Sequence, residues 1–253
     1  MSEGEVSAAL LIIGNEILSG RTQDANLAYI ALGLNEVGVR LREVRVVPDD
    51  EREIIDAVNA LRARFTYVFT TGGIGPTHDD ITAECIAKAF GVKLLRDPRA
   101  VEMLKRQIAP ENLNEARLRM ANIPEGAELI ENPVSRAPGF RIGNVHVMAG
   151  IPRIMQAMFD GVKGSLKGGR RMLAQTIDVY MGEGAIAAGL TEIQNARPMI
   201  EIGSYPFQRQ GVFGTAIVAR GTEAAAVGEA IDAVRTLVQG LGARTEETGD
   251  GPR

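Results

Sequence analysis

Between an apolar run and a helical pattern the chain reads TTGGIGPTHDDITAE, Thr70 to Glu84, with three glycines, a proline, a histidine and two adjacent aspartates in one turn. Gly72, Gly73 and Gly75 permit positive φ and let backbone N–H groups approach a ligand with no Cβ in the way. Such amides can cradle phosphate oxygens, and a helix predicted to begin near Asp79 adds unpaired N–H groups and a positive dipole end. Asp79 and Asp80 are themselves anions and would repel a bare phosphate. A divalent cation that bridges carboxylate and phosphate, in the hard oxygen-ligand manner of magnesium or manganese, reconciles the two. The same letters also describe an ordinary helix start, because Thr77-His-Asp-Asp80 nearly spells a capping box, and the turn alone leaves both readings open. His78 could hold a metal or grip phosphate, and equally could be a solvated loop residue.

Other reactive residue types read as packing. Cys85 falls on the apolar face of the helix after the turn. His146 lies inside a predicted strand, with no cysteine or histidine partner at zinc spacing. Gly73-Ile74-Gly75 lacks the third glycine of a dinucleotide fingerprint, and Gly182-Glu183-Gly184 with Gly189 has the wrong spacing. No Walker A sequence is present and no serine sits in a nucleophile-elbow pattern.

The elements that must position the turn follow from periodicity. Ala8 to Ile13 is a continuous apolar run, the mark of a strand buried on both faces. Leu27, Ile30, Ala31 and Leu34 recur at helical spacing up to Gly38. Val39 to Val47 is β-rich, Ile54, Ile55, Val58 and Leu61 mark a second amphipathic helix, and Thr66 to Thr70 is a third strand. This alternation predicts a mostly parallel sheet sandwiched by helices, an α/β fold whose ligands bind outside the carboxyl ends of the strands. A helical pattern from Pro98 to about Ala121, interrupted at Pro110, precedes short β segments between Ile130 and Val147. Pro152 suits the first turn of a helix through Met155, Met158 and Val162. Lys163 to Arg171, glycine-rich and charged, reads as a linker. Beyond it the pattern is a small α+β unit, so the expected domains are 1–165 and 172–243, with 244–253 a disordered tail.

With 253 residues, 45% of them hydrophobic and 24% charged, the chain has the makeup of an ordinary globular protein. Lys+Arg number 28 against Asp+Glu 32, a net charge of −4, and no basic stripe interleaved with aromatics supports a nucleic-acid surface. No apolar segment is long enough to span a bilayer, and the acidic start MSEGEVS lacks the features of a signal peptide. A cytoplasmic location is expected, and a single cysteine agrees with it.

Taken together, GNEILSGRTQDAN, VVPDD, TTGGIGPTHDDIT, NPVSRAPGF and AGIP, in this order, resemble the molybdopterin-binding (MoaB/Mog-like) domain superfamily. Within it the likeness is to the N-terminal domain of CinA proteins and to the corresponding domain of FAD synthases, with GSYP at Gly203 to Pro206 adding to the latter. The resemblance implies an α/β sandwich with an accessory α+β domain, self-association into dimers or trimers, and a small nucleotide or pterin phosphate as ligand. CinA-type domains are associated with metal-dependent hydrolysis of ADP-ribose, the FAD synthase domain with hydrolysis of FAD, and Mog-type relatives with binding or adenylylation of molybdopterin. Carried over by position, Gly72, Gly73, Gly75 and Thr77 match the phosphate-cradling loop, with Thr71 and His78 beside it. Gly14, Asn15 and Glu16 match the polar turn after the first strand, Ser135, Pro138 and Gly139 the loop closing the pocket, and Gly150 the end of the later strand. Asp79 and Asp80 match the acidic pair expected to orient the attacking water and, with Asp49 from the Asp49-Asp50 turn, to hold magnesium, manganese or cobalt, a monovalent cation accompanying it.

The departures from that pattern are specific. His78 stands where CinA proteins commonly carry lysine, and Asn15 where several relatives have aspartate or threonine. No stretch of this sequence corresponds to the NMN deamidase domain or the nucleotidyl-transferase domain, so neither NMN deamidation nor FAD synthesis is expected. The activity expected is a metal-dependent pyrophosphatase acting on ADP-ribose or FAD. The alternatives are a molybdopterin-binding or adenylylating protein and a non-catalytic nucleotide sensor.

Overall fold

A strand whose successive side chains alternate between faces stays apolar throughout only when both faces are covered. That condition is met by β1 (Val6–Ile13) in the computed structural model, which describes residues 5–209 and 211–248. Ala8, Leu10 and Ile12 point into one core and Ala9, Leu11 and Ile13 into another, all between 0% and 4% exposed. Each fully buried aliphatic side chain of this kind contributes roughly 1.5–3 kcal/mol.

After β1 come α1 (Asn15–Leu18), α2 (Asn26–Glu36), β2 (Val39–Val47), α3 (Glu51–Arg62), β3 (Tyr67–Thr71) and α4 (Thr82–Phe90). The chain continues with β4 (Leu94–Arg96), α5 (Pro98–Lys105), α6 (Glu115–Leu118), β5 (Asn122–Pro124), β6 (Glu128–Ile130), β7 (Gly139–Ile142), β8 (Val145–Met148) and α7 (Pro152–Lys163). The main sheet has the order β2-β1-β3-β8-β7-β6, parallel from β2 to β8 and antiparallel beyond. On one face α3, α4 and α5 bury Ile54, Val58, Leu61, Ile86 and Leu104. On the other, α2 and α7 bury Ile30, Leu34, Met155, Met158 and Phe159. This is the mostly parallel α/β sandwich that the sequence predicts.

Three expectations change in detail. The helix after the turn begins at Thr82, with Ile81 as its N-cap and no side-chain cap, rather than near Asp79. The pattern from Pro98 to Ala121 is not one interrupted helix: α5 ends at Lys105, Ala109 before Pro110 is extended, and helix resumes only as the single turn α6. The glycines of Lys163 to Arg171 are only partly a linker: Gly169 N donates to Gly38 O at 2.9 Å, and a Cβ on Gly168 would collide with Val37 O. Close backbone approach, not slack, explains Gly168 and Gly169.

The chain divides into two units after Gly169. The second contains β9 (Leu173–Val179), α8 (Glu183–Ala196), β10 (Glu201–Arg209), β11 (Val212–Gly221), α9 (Ala224–Gly240) and β12 (Thr245–Thr248). Its sheet runs antiparallel in the order β10-β11-β9-β12, a βαββαβ arrangement with its own core of Ile177, Val179, Ile217, Val234 and Val238. The disordered tail expected for 244–253 is corrected by β12, whose Thr245 to Thr248 pair with β9 in spite of their lack of apolar periodicity. A strand at a sheet edge needs backbone partners more than apolar side chains. Residues 249–253 lie outside the described residues.

Candidate functional site

Because β2, β1, β3 and β8 run parallel, their carboxyl ends open on one edge, and hydrogen bonds tie those ends together. Gly14 N donates to Val47 O at 3.1 Å, Asn15 N to Asp49 Oδ2 at 2.9 Å, and Gly72 N to Met148 O at 3.2 Å. Gly72 and Gly73 have φ of 105° and 65°, the left-handed region that side chains disfavour. A Cβ on Gly72 would meet Ile13 O and one on Gly73 would meet Thr82 Oγ1. Thr82 locks the turn from the helix side: its Oγ1 donates to Gly72 O and its N to Gly73 O, both at 3.0 Å. The next three backbone N–H groups, of Gly73, Ile74 and Gly75, donate to no acceptor among the described residues and are half-exposed. A run of unpaired amides in a glycine turn has the donors to bind an anion.

The acids of the turn are not equivalent. Asp80 Oδ2 accepts from Thr77 N at 2.8 Å and from Thr77 Oγ1, so Asp80 closes the turn ahead of α4. The Thr77 N–H bond is one half of a capping box, but the other half is missing: the Thr77 hydroxyl donates to Asp80 instead of accepting from its N–H, and α4 starts only at Thr82. Asp79 is exposed and held below the usual carboxylate range, first by the Thr77 hydroxyl and then by its own backbone N–H. That hydroxyl has one proton and already sits on Asp80, so the two carboxylates compete for it. His78 is 97% exposed, with Nδ1 4.0 Å from Asp79 Oδ1.

Asp49 anchors the start of α1 through Asn15 N, and Asp50 is the N-cap of α3, accepting from Arg52 N and Glu53 N at 3.0 and 3.1 Å. Among the described residues no three His, Cys, Asp or Glu side chains form a group that could hold a metal ion, so Asp79, Asp80 and Asp49 do not make a cage. The donor set fits a hard cation only where ligand phosphates supply further oxygens, as magnesium sites commonly do.

Ser135, Pro138 and Gly139 belong to a loop held by buried Asn132, whose Oδ1 accepts from Val134 N and Ser135 N at 3.0 Å each and whose Nδ2 donates to Ala137 O at 2.8 Å. A Cβ on Gly139 would meet Val147 O and Met158, and no hydrogen bond or ion pair among the described residues joins this loop to the Gly72–Asp80 turn. Glu16, Thr71 and Gly150 do come together, around a cavity completed by Thr22 to Asn26. Sequence reasoning missed Asn26 and Thr82. Asn26 is 4% exposed and its Nδ2 donates to Gly150 O at 2.8 Å, yet in sequence it looks like any polar residue at a helix start.

Two further titratable side chains, Cys85 and His146, are packed into the cores. Cys85 is buried and its thiol is pushed up to about 12, chiefly by desolvation, so it is no nucleophile at neutral pH. His146 is buried and stacked on Phe69 at 5.0 Å.

This architecture is that of an α/β domain of the MoaB/Mog type followed by a small antiparallel α+β unit. Residues 9–167 match the family described as a probable molybdopterin binding domain, and residues 171–244 match the middle domain of FAD synthase. The chain belongs to the molybdopterin-binding-domain family, in its CinA-like branch. It is 36% identical over 197 residues to a protein of Archaeoglobus fulgidus, covering 78% of this chain and 84% of that one. It is 37% identical over 185 residues to a CinA-like protein of Desulfosudis oleivorans, covering 68% of this chain and 45% of that longer protein. The crystal structure of CinA, of unknown function, from Thermoplasma acidophilum superposes with a TM-score of 0.61 at 36% identity, over 64% of this chain and 99% of the other. No helix among the described residues is long and apolar enough to cross a membrane.

Proposed function

We propose that the carboxyl edge of the main sheet binds a nucleoside diphosphate derivative and that this chain hydrolyses its pyrophosphate bond, with ADP-ribose and FAD as the substrates to test. The observation that carries the reading is the run of three unpaired amides, Gly73 to Gly75, next to the exposed, ionised Asp79. The amides take phosphate oxygens, and Asp79 orients water toward phosphorus. Water adds to one phosphorus while the bridging oxygen leaves with the other phosphate, so ADP-ribose yields AMP and ribose 5-phosphate. A divalent magnesium, manganese or cobalt ion held by Asp79 together with the ligand's own oxygens would neutralise charge on the pyrophosphate. The working form is proposed to be a homo-oligomer, a dimer or trimer, which sedimentation would read directly.

The test is AMP release from ADP-ribose and from FAD, with each metal and with chelator. Turnover that needs a divalent ion and is lost in Asp79→Asn supports the reading; no turnover with any metal sinks it. The family description favours a second reading, a molybdopterin-binding or adenylylating protein, and pterin binding without hydrolysis of either nucleotide would select it. Saturable nucleotide binding without product would leave a sensor.

A further inference from the structure

On the α2/α7 side of the same edge, where β1 and β3 end, lies a cavity of about 50 Å³ lined by Glu16, Thr22, Gln23, Asn26, Thr71 and Gly150, with Ile12, Ile13 and Ile17 beneath. Two of its polar atoms, Asn26 Oδ1 and Thr71 Oγ1, are buried and have no hydrogen-bond partner among the described residues, on side chains 4% and 1% exposed. The orientation of the Asn26 amide is not arbitrary. Gly150 O can only accept, so Nδ2 must face it, and Oδ1 is the amide atom left without a partner. Glu16 adds a carboxylate, folded back over Gly14 at the mouth.

These groups select by sign. Asn26 Oδ1 and the Glu16 carboxylate only accept, and the Thr71 hydroxyl can do either. An anion is repelled and an apolar group leaves buried acceptors unpaired, so the cavity is complementary to an N–H donor. Its size sets a second limit. One water needs about 10–15 Å³ of such space, so an amino group and the edge that bears it fit, whereas a whole bicyclic base does not. Thr71 directly precedes Gly72, so a group in the cavity adjoins the ligand held on the Gly73–Gly75 amides.

We infer that this cavity reads an exocyclic amino group on the heterocycle of the ligand, with N–H donated to Asn26 Oδ1 and the Glu16 carboxylate. The inference rests on the phosphate reading of the same edge. Asn26 and Thr71 then act as specificity determinants, not as catalytic residues.

Calorimetric titration of the full chain with two matched pairs tests it: ADP-ribose against its deaminated hypoxanthine counterpart, and 2-amino-4-oxopteridine against 2,4-dioxopteridine. Inorganic pyrophosphate serves as a separate probe of the amide cradle. At least one amino-bearing member is expected to bind ten-fold or more tighter than its oxo partner. Thr71→Val and Glu16→Gln should each reduce that preference to within about three-fold. Equal binding within both pairs, or binding of pyrophosphate but of none of the four, overturns this inference and leaves the phosphate reading intact. Discrimination retained without pyrophosphate binding does the reverse. A crystal of the complex with ordered water in the cavity and the amino group outside it also overturns the inference.

Discussion

Asp79 and Asp80 stand side by side and do different work. Asp80 spends Oδ2 on both the amide and the hydroxyl of Thr77, so it holds the turn's shape. Asp79 is more than half exposed and stays ionised. Asp80→Ala is therefore expected to lower stability by about 0.5–2 kcal/mol, the usual cost of a lost capping-type bond, and to weaken ligand binding through the loosened turn. Asp79→Asn should lower the melting temperature less than Asp80→Ala does and reduce the proposed hydrolysis by about 100-fold or more. Thermal melts paired with AMP release separate the two roles. His146 makes a pH prediction. Burial, then the nearby Arg141, pushes its imidazole from 6.5 down to about 4. Between those values the unfolded chain binds a proton that the folded chain refuses, so this contribution is fully present above pH 6.5 and is lost as pH falls toward 4. The loss is on the order of 3 kcal/mol. Urea titrations at pH 7.5 and 4.5 should show His146→Phe losing less stability than the parent over that interval, and an equal loss would refute the assignment.

At the scale of elements, the turn between β3 and α4 is fixed by backbone geometry. Gly73 has φ 65°, with Thr82 Oγ1 where a Cβ would be. Gly73→Ala is expected to cost about 1–3 kcal/mol for the strained backbone and to abolish pyrophosphate binding, measured by calorimetry beside an unfolding curve. Binding at parental affinity would mean that the amides are not the cradle. Much of this frame was legible in the sequence: a short apolar run without alternation, ended by Gly14, reads as a strand covered on both faces, and β1 is such a strand, flanked by β2 and β3 in a helix-covered sheet. The start of α4 was not legible, because Thr77 and Asp80 have the residue types of a capping box and use them to close a turn instead. Asn26 was hidden for a related reason. Its amide matters through Gly150, 124 positions away, and no local pattern encodes such a partner. β12 escaped notice because an edge strand of Thr and Glu carries no apolar signal.

For the whole molecule, the separation of cores is the property with a measurable consequence. The first unit buries its side chains on two faces of one sheet, around Leu10 and Leu11, and the second buries Ile177, Ile217 and Val234 beneath α8 and α9. A cavity made in one core takes contacts from that core alone. Ile217 is fully buried, so Ile217→Ala is expected to cost the second unit about 2–5 kcal/mol. Native-state hydrogen exchange reads this unit by unit, since each amide reports the free energy of the opening that exposes it. Amides of β9, β11 and α9 should exchange faster by the factor that this cost implies, while those of β1, β3 and β8 keep their parental rates. Leu10→Ala should give the opposite pattern. If either substitution accelerates both sets equally, the two units open as one, and the division at Gly169 does not describe how the chain unfolds.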